Sequence, residues 1–476
     1  MATQPSSSSP PSSMKVLTLN VWGLAHISKA RQFRIGHIAD RIAEGDWDVV
    51  ALQEIWVESD DWRMLRARCS DRLQYSKFFL SGAFGSGLAI LSRFPIRATH
   101  THPYTLNGLP IHVGHGDWFV GKAAGSATLD LGDGFLVDVF DTHTVAAGGE
   151  SGPEKSRSHR IVQAWELAKL VQNSAERGRH VIALGDFNST PPSLSMSILR
   201  HVGQLQDAYL ATHPSLPPHS TSLPGHDSAR GASPDPQRCI DELGVTCDSP
   251  LNTWTAGKKL DPRALAGAGK RLDYVFYRGP CHPDLLQSST AGASIRLKPV
   301  DCRVVFTELI PGSNMSYTDH FGLEAVFEIL PKTEPSSSPA KFSTALASKS
   351  VAQTLTTAMT VLSSYLQVSR NTQRSHILGF SACVTLALAL AVFTPFVGYR
   401  GYSFWAAIAV VLATAAGWGG TTLLYSAVVW GEWEKRAVRT VIEAMELERN
   451  NLAHITAAEP RGSMNGSSDE RRALLI

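Results

Sequence analysis

Six short apolar runs in this chain are edged by residues able to bind a cation or carry a proton. Asn20 follows KVLTL, Glu54 ends DVVALQE, and Asp141 and His143 close FLVDVFDTH. Asp186 and Asn188 follow VIALG, Asp273 opens DYVFY, and Asp319-His320 precedes the last run. Oxygen donors from Glu, Asp and Asn suit a hard cation such as Mg²⁺, which keeps several waters and takes a carboxylate or two plus a substrate phosphate. Two histidines, each close to an Asp in the sequence, suit proton transfer near neutral pH. Together these residues describe metal-assisted hydrolysis of a phosphoester. A single Asp after a strand is ordinarily a turn or cap residue, so the argument lies in the joint pattern.

The elements that must position these groups are legible as alternating strands and helices. KVLTLNVW, WDVVALQE, GLAILS, SATLDL, FLVDVFDTH, HVIALGDFN, LDYVFY and LEAVFEIL are rich in Val, Leu, Ile and Phe and are bounded by polar or Gly residues, so each is predicted as a strand. Arg31 to Glu44 and Ser156 to Glu176 carry apolar residues at helical spacing, the second through Ile161, Trp165, Leu167, Ala168 and Val171. This alternation predicts helices packed outside sheets, with the polar strand ends converging on one cleft. The main domain is expected over 14–330, with an exposed Pro/Gly-rich insertion at 211–237, after a disordered Ser/Pro leader at 1–13 that has no signal-peptide character.

Composition narrows the partners. The 476 residues carry a formal charge of +2, which gives no basic field for nucleic acid, and none is expected as a partner. Only 18% of residues are charged, below the roughly 25% usual for soluble domains. Six scattered cysteines without a C-x-x-C pair suggest a reducing, cytosol-facing domain. The hidden apolar material lies after a linker at 331–343 and an expected juxtamembrane helix at 344–374. Residues 375–399 and 401–431 are runs of 25 and 31 residues without Asp, Glu, Lys or Arg, each longer than the roughly 20 that cross a bilayer core. Two transmembrane helices, 375–399 and 403–431, are therefore expected, joined by a turn near Val397 to Ser403 and followed by a cytosolic tail at 432–476. Arg370 and Arg374 before the pair and Lys435, Arg436 and Arg439 after it face both long ends to the cytosol.

In chain order, N-V-W at 20–22, Q-E at 53–54, D-T-H at 141–143, G-D-F-N at 185–188, L-D-Y-V at 272–275 and T-D-H at 318–320 resemble the endonuclease/exonuclease/phosphatase superfamily. That resemblance implies a four-layer α/β/β/α sandwich of the DNase I-like kind. G-S-G-L-A-I-L-S-R-F-P-I at 85–96, G-V-T-C-D-S-P-L-N-T-W at 244–254 and the Asp117 and Lys122 of H-G-D-W-F-V-G-K resemble the branch of neutral sphingomyelinases and inositol phosphosphingolipid phospholipases C. The last segment is no Walker A loop, because Ala123 stands where Ser or Thr is required.

The resemblance implies a membrane-anchored phosphodiesterase that splits sphingophospholipids into ceramide and a phosphorylated head group. Glu54 with Asn20 would hold Mg²⁺, with Mn²⁺ able to substitute, and Asp319 would serve a second metal. His320 would be the general base oriented by Asp273. Asp186 and Asn188 would position water or phosphate, and His143 would donate to a phosphate oxygen. Lys122 and Asp117 are expected at the substrate, directly or through a loop switch, with Trp118 and Phe119 lipid-facing or packed inside. His26, His37, His112, His115 and His159 are read as surface histidines. The expected partners are a sphingolipid in a membrane and an anionic activator such as phosphatidylserine, and the expected location is an endoplasmic reticulum or mitochondrial membrane. A nuclease or inositol-polyphosphate phosphatase of the same superfamily, or a catalytically dead membrane scaffold, are the alternatives. The preferred head group is left open.

Overall fold

A computed structural model describes residues 10–111, 116–146, 154–222, 234–281, 295–331, 341–399, 401 and 403–458. The strands are β1 (Ser13–Asn20), β2 (Val49–Gln53), β3 (Tyr75–Phe79), β4 (Leu88–Ser92), β5 (Ile96–Pro103), β6 (Ala123–Asp130), β7 (Leu136–His143), β8 (His180–Asp186), β9 (Gln206–Asp207), β10 (Asp273–Arg278), β11 (Ile295–Val305) and β12 (Gly322–Pro331). They form two six-stranded sheets, in the orders β11-β12-β1-β2-β4-β3 and β5-β6-β7-β8-β10-β9. The eight predicted strands are the eight interior strands of these sheets. The four that the hydrophobic pattern missed, β3, β5, β9 and β11, are the four edges.

The helices are α1 (Arg31–Glu44), α2 (Arg63–Cys69), α3 (Asp117–Val120), α4 (Glu154–Glu176), α5 (Leu194–His201), α6 (Ala208–Thr212), α7 (Pro236–Leu243), α8 (Pro262–Ala266), α9 (Lys341–Tyr399), α10 (Ser403–Leu424) and α11 (Gly431–Ala458). Between the sheets, Val16, Val49 and Ile90 of one pack with Val139, Ile182, Leu184 and Val275 of the other. Leu17, Leu19, Val50 and Leu52 point outward onto Ile35, Ile38 and Ile42 of α1 and Leu65 of α2. On the opposite outer face, Phe140, Val181, Ala183 and Phe276 pack under Ile161, Trp165 and Ala168 of α4 and Ile198 and Leu199 of α5. Alternate residues of each strand thus serve two different interfaces, which makes the four expected layers. Of the expected insertion, 223–233 lies outside the described residues, as do the leader up to residue 9 and the linker over 332–340.

The C-terminal region departs from the expected division into helix, span and tail. The juxtamembrane and first apolar segments form one continuous helix, α9. Its N-terminal half is part of the protein core: Leu355, Ala358, Leu362 and Tyr365 are buried with residues of α4 and α5. α11 falls where a tail was expected, and Val438, Val441 and Met445 are buried in the same cluster. Apolar spacing along 344–374 showed a sticky face, but spacing cannot say that the face meets α4 and not lipid.

A polar knot ties the two parts. Glu434 accepts hydrogen bonds from Tyr365 Oη at 2.6 Å, Ser369 Oγ at 2.7 Å and His159 Nε2 at 3.1 Å, all buried. The Gly108 amide donates to His159 Nδ1 at 2.9 Å, so the ring proton sits on Nε2. His159 is therefore a buried structural residue rather than a surface one; lying on α4, it is covered by helices far away in sequence. His112 and His115 lie outside the described residues.

Beyond the sandwich layers, α9 and α10 run side by side, with Leu423 against Gly379 and Cys383 against Gly420. Two helices are long and apolar enough to cross a membrane. They expose Leu388, Val392, Phe393, Val410 and Val411, a surface costly in water and favourable in hydrocarbon. α9 ends at Tyr399 and α10 begins at Ser403.

Candidate active site

Strand register brings the polar ends together. β7 and β8 run parallel with His143 beside Asp186, and β8 and β10 run antiparallel with Asp186 beside Asp273. One imidazole and two carboxylates thus stand in a row across neighbouring strands. In the other sheet Asn20 lies beside Gln53, and Glu54 follows it. Face-to-face stacking of the sheets joins the two sets: Asn20 Nδ2 donates to Glu54 Oε1 at 3.2 Å and to Asp186 Oδ2 at 3.1 Å.

The backbone bends sharply around this point. Trp22, Glu54 and Asn188 adopt φ values of 47°, 60° and 44°, in the left-handed region that is uncommon for residues other than glycine. Such conformations persist only where surrounding contacts over-determine them, and they concentrate at functional sites. Gly185 has φ +138°, and a Cβ there would meet the Thr142 carbonyl oxygen at 2.0 Å. Glycine at that position lets β8 lie against β7 and deliver Asp186.

His320 enters from the loop before β12. Its Nδ1 lies 2.9 Å from Asp273 Oδ2, and its Nε2 lies 3.9 Å from Asp186 Oδ2. His143 Nε2 is 3.5 Å from Asp186 Oδ2 and 3.8 Å from Glu54 Oε1. Asn188 donates its backbone amide to Asp186 Oδ1 at 2.9 Å and its Nδ2 to Oδ2 at 3.3 Å. Lys122 is buried at 3% exposure, with Nζ 2.8 Å from His143 Nε2 and 3.8 Å from Asp117 Oδ1. Asp319 faces Lys258 Nζ at 3.3 Å, and its charge adds to the rise of the Glu54 carboxyl. Asp141 lies deeper, accepting from Gln53 Nε2 at 2.7 Å beneath the cleft.

Burial governs the electrostatics. It raises the Glu54 carboxyl against the pull of Lys122, and it pushes Asp186 up to about 6 although His320 opposes it. Burial, with Lys122 and His320 adding to it, holds His143 well below the ordinary imidazole value and so neutral. His320 goes the other way. Burial disfavours its charge, but the Cys247 sulfur and the Asp273 and Asp186 carboxylates outweigh that penalty and lift it well above the ordinary value. Two imidazoles in one cleft are thus driven apart, one a neutral donor and the other strongly basic.

The donor set fits a divalent cation. Glu54 Oε2 and Asp273 Oδ1 are buried without a hydrogen-bond partner among the described residues, an arrangement costly for carboxylates that face nothing positive. Donor atoms of Asp186, Asp273 and His320 also lie within 4.8 Å of one another.

The description of the endonuclease/exonuclease/phosphatase family matches residues 17–320, a stretch that holds every group named above. The chain belongs to this family. Relatives include the inositol phosphosphingolipids phospholipases C of Schizosaccharomyces pombe, 36% identical over 66% of this chain and 68% of its own, and of Saccharomyces cerevisiae, 31% identical over 90% and 88%. Human sphingomyelin phosphodiesterase 2 is 33% identical over 56% of each chain. These relatives are phosphoric diester hydrolases by name. Among solved structures, sphingomyelinase C from Streptomyces griseocarneus aligns at 19% identity over 66% of this chain and 99% of its own, with a TM-score of 0.43.

Within this member of the endonuclease/exonuclease/phosphatase family, one residue at the site escaped the sequence reading. Arg34 of α1 is fully buried, and its guanidinium donates to the carbonyls of Val21 at 3.1 Å, Trp22 at 2.7 Å and Tyr317 at 2.9 Å. It also lies 4.7 Å from the Trp22 ring and 5.7 Å from the Trp254 ring. Arg34 therefore clamps the chain leaving β1, which carries Asn20, to the chain bringing Asp319 and His320. An Arg on the apolar stripe of α1, one turn before Ile38, was the available signal. The 244–254 motif has a related use: Thr246 Oγ1 accepts from the Asp273 amide at 3.3 Å, and Asn252 Nδ2 donates to the Thr318 carbonyl at 2.9 Å.

Proposed function

We propose that this chain is a membrane-anchored, Mg²⁺-dependent phospholipase C that hydrolyses sphingophospholipids, either sphingomyelin or inositol phosphosphingolipids, to ceramide and a phosphorylated head group. The observation that carries the reading is the buried cluster of Asn20, Glu54, Asp186, His143, Asp273 and His320 in a chain whose C-terminal helices are long and apolar enough to cross a membrane. Likeness along 90% of the chain to an inositol phosphosphingolipids phospholipase C supports the substrate class.

Mg²⁺, held by Glu54 with Asn20, would neutralise charge developing on a phosphate oxygen. In this reading His320 Nε2 takes the proton from the attacking water, while Asp273 fixes the tautomer and favours the imidazolium. Asp186 and Asn188 orient the water or the phosphate. His143, kept neutral, donates its N–H to a non-bridging oxygen, and the Lys122 ammonium adds positive charge beside it. Water oxygen bonds to phosphorus as the bond to the primary oxygen of ceramide breaks; that oxygen takes up a proton from solvent to leave as the alcohol, and His320 returns its proton to solvent. Asp319, paired with Lys258, is the candidate for a second metal. The Arg and Lys residues at the outer ends of the hairpin support a cytosol-facing catalytic domain and contact with anionic lipid such as phosphatidylserine.

The test is to offer the full-length protein sphingomyelin, inositol phosphosphingolipid, lyso-platelet-activating factor and plasmid DNA with Mg²⁺, and again with EDTA. Ceramide release that EDTA abolishes and Mg²⁺ or Mn²⁺ restores is expected. Nicked DNA without ceramide, or chelator-insensitive turnover, would overturn the reading.

A further inference from the structure

Beside the cleft mouth, one loop carries two large apolar side chains into solvent and rests on the half-buried Trp118 and Phe119 of α3. In residues 80–87, LSGAFGSG, Leu80 is 66% and Phe84 67% exposed. This loop lies on residues 116–121, GDWFVG. The Ala83 and Phe84 amides both donate to the Phe119 carbonyl, at 2.9 and 3.1 Å, and the Phe84 ring stacks on Phe119 at 5.9 Å. Gly82 and Gly121 touch backbone to backbone, so closely that a Cβ on either would come within 2.7 Å of the other loop. The loop and α3 therefore form one ledge. No Asp, Glu, Lys or Arg occurs between Lys77 and Arg93, so the tip has no charge to keep it in water.

The ledge adjoins both the chemistry and the apolar hairpin. On one side, Gly121 precedes Lys122, and the Gly87 carbonyl accepts from the Ile55 amide at 3.0 Å, next to Glu54. On the other, Trp118 packs edge-on at 4.9 Å against Phe119 and at 6.2 Å against Trp430, the last residue before α11. Trp430 lies just past the apolar length of α10, where Gln373 Nε2 of α9 also bonds the Ala427 carbonyl at 2.9 Å. Aromatic rings at such a level occupy the boundary between hydrocarbon and water.

We propose that the ledge of Leu80, Phe84, Trp118 and Phe119 is a second membrane contact, seated in the interfacial layer of the same leaflet from which the hairpin emerges. The proposal rests on the reading of α9 and α10 as a membrane hairpin. Its occupant is the bilayer, because the ledge is continuous through Trp430 with the surface the bilayer would already cover. The consequence is orientation. α9 and α11 already join the hairpin rigidly to the domain, and the second contact keeps that rigid unit from tilting, so that the cleft mouth is held at the depth of lipid phosphates.

The test uses full-length protein in vesicles, with Cys281 and Cys383 replaced by Ser and one environment-sensitive fluorophore on Leu80→Cys, Phe84→Cys, Leu388→Cys or Asp133→Cys. Asp133 is exposed and precedes β7, whose other end carries His143. Lipids brominated high on the acyl chain are expected to quench the labels at positions 80 and 84, and lipids brominated deep in the chain to quench the label at 388. The label at 133 should keep its emission in both. Quenching at 388 with none at 80 or 84 overturns the ledge while leaving the hairpin standing. No quenching at 388 overturns the hairpin reading and the proposal with it. Shielding at 84 that is independent of bromination and grows with protein density would assign the ledge to a second copy of the chain. As a second measure, Phe84→Asp should raise the KM for vesicle-presented substrate several-fold; an unchanged KM counts against the proposal.

Discussion

His320 is made basic by the anionic groups around it and the Asp186 carboxyl is raised by burial in the same dry cleft, and each yields a measurable consequence. His320 works as a base only when neutral. Because its pKa is lifted well above the ordinary imidazole value, turnover should climb with pH along an acid limb centred above about 6.5. Asp273→Asn removes a carboxylate that favours the imidazolium, so that limb should move to lower pH while the maximal rate falls; an unmoved limb would detach Asp273 from His320. Asp186 has a folded pKa of about 6 against an ordinary 3.8. The native state therefore binds this proton more tightly than the unfolded state does, and stability falls as pH rises from about 4 to 6, the deficit being complete above that window. In EDTA at pH 7, Asp186→Asn should melt at a higher temperature than the parent while losing activity. A lower melting temperature would mean that Asp186 stabilises the empty cleft.

At the level of elements, the helices that look like appendages are part of the catalytic body. Truncation after Thr372 would strip Val438, Val441 and Met445 from the core and leave His159 buried without Glu434. Loss of each such large buried side chain ordinarily costs about 2–5 kcal/mol, so the truncated chain should aggregate. Excision of the hairpin alone should behave differently. Gln373 Nε2 lies 2.8 Å from Glu432 Oε1, so a short Gly/Ser link from Thr372 to Glu432 can close the gap. That protein is expected to be soluble and to cleave detergent-presented substrate, yet to work poorly on vesicles; equal rates on both would remove the case for tethering. Edge strands make the complementary point. β5 is mostly exposed and reads IRATHTHP, and β9 has only two residues, so neither carries the apolar signature of a strand covered on both faces.

At the scale of the whole molecule, a lipid substrate is confined to a surface, and a catalytic domain held there meets it at high effective concentration. The topology proposed here puts the cleft and both long ends on one side and the α9–α10 turn on the other. Tyr399, 94% exposed at the end of α9, gives a direct check. In sealed vesicles, Tyr399→Cys should resist a membrane-impermeant maleimide added from the side of the catalytic domain and react once the vesicles are opened. Ready labelling in sealed vesicles would place the turn on the catalytic side and undo the spanning arrangement.

The sequence by itself determined the interior strands, the helices α1 and α4, the apolar pair, and the polar residues at the strand ends. These are local properties: periodicity and composition state which face of a segment is buried and which residue follows it. Tertiary structure alone decided what each face meets. It drew α9 and α11 onto α4, sank His159 and Lys122 out of solvent, sent Asp319 to Lys258 and set Arg34 beneath two tryptophans. Those outcomes depend on contacts between residues up to hundreds of positions apart, and the hydrophobic effect that drives burial carries no address for its partner.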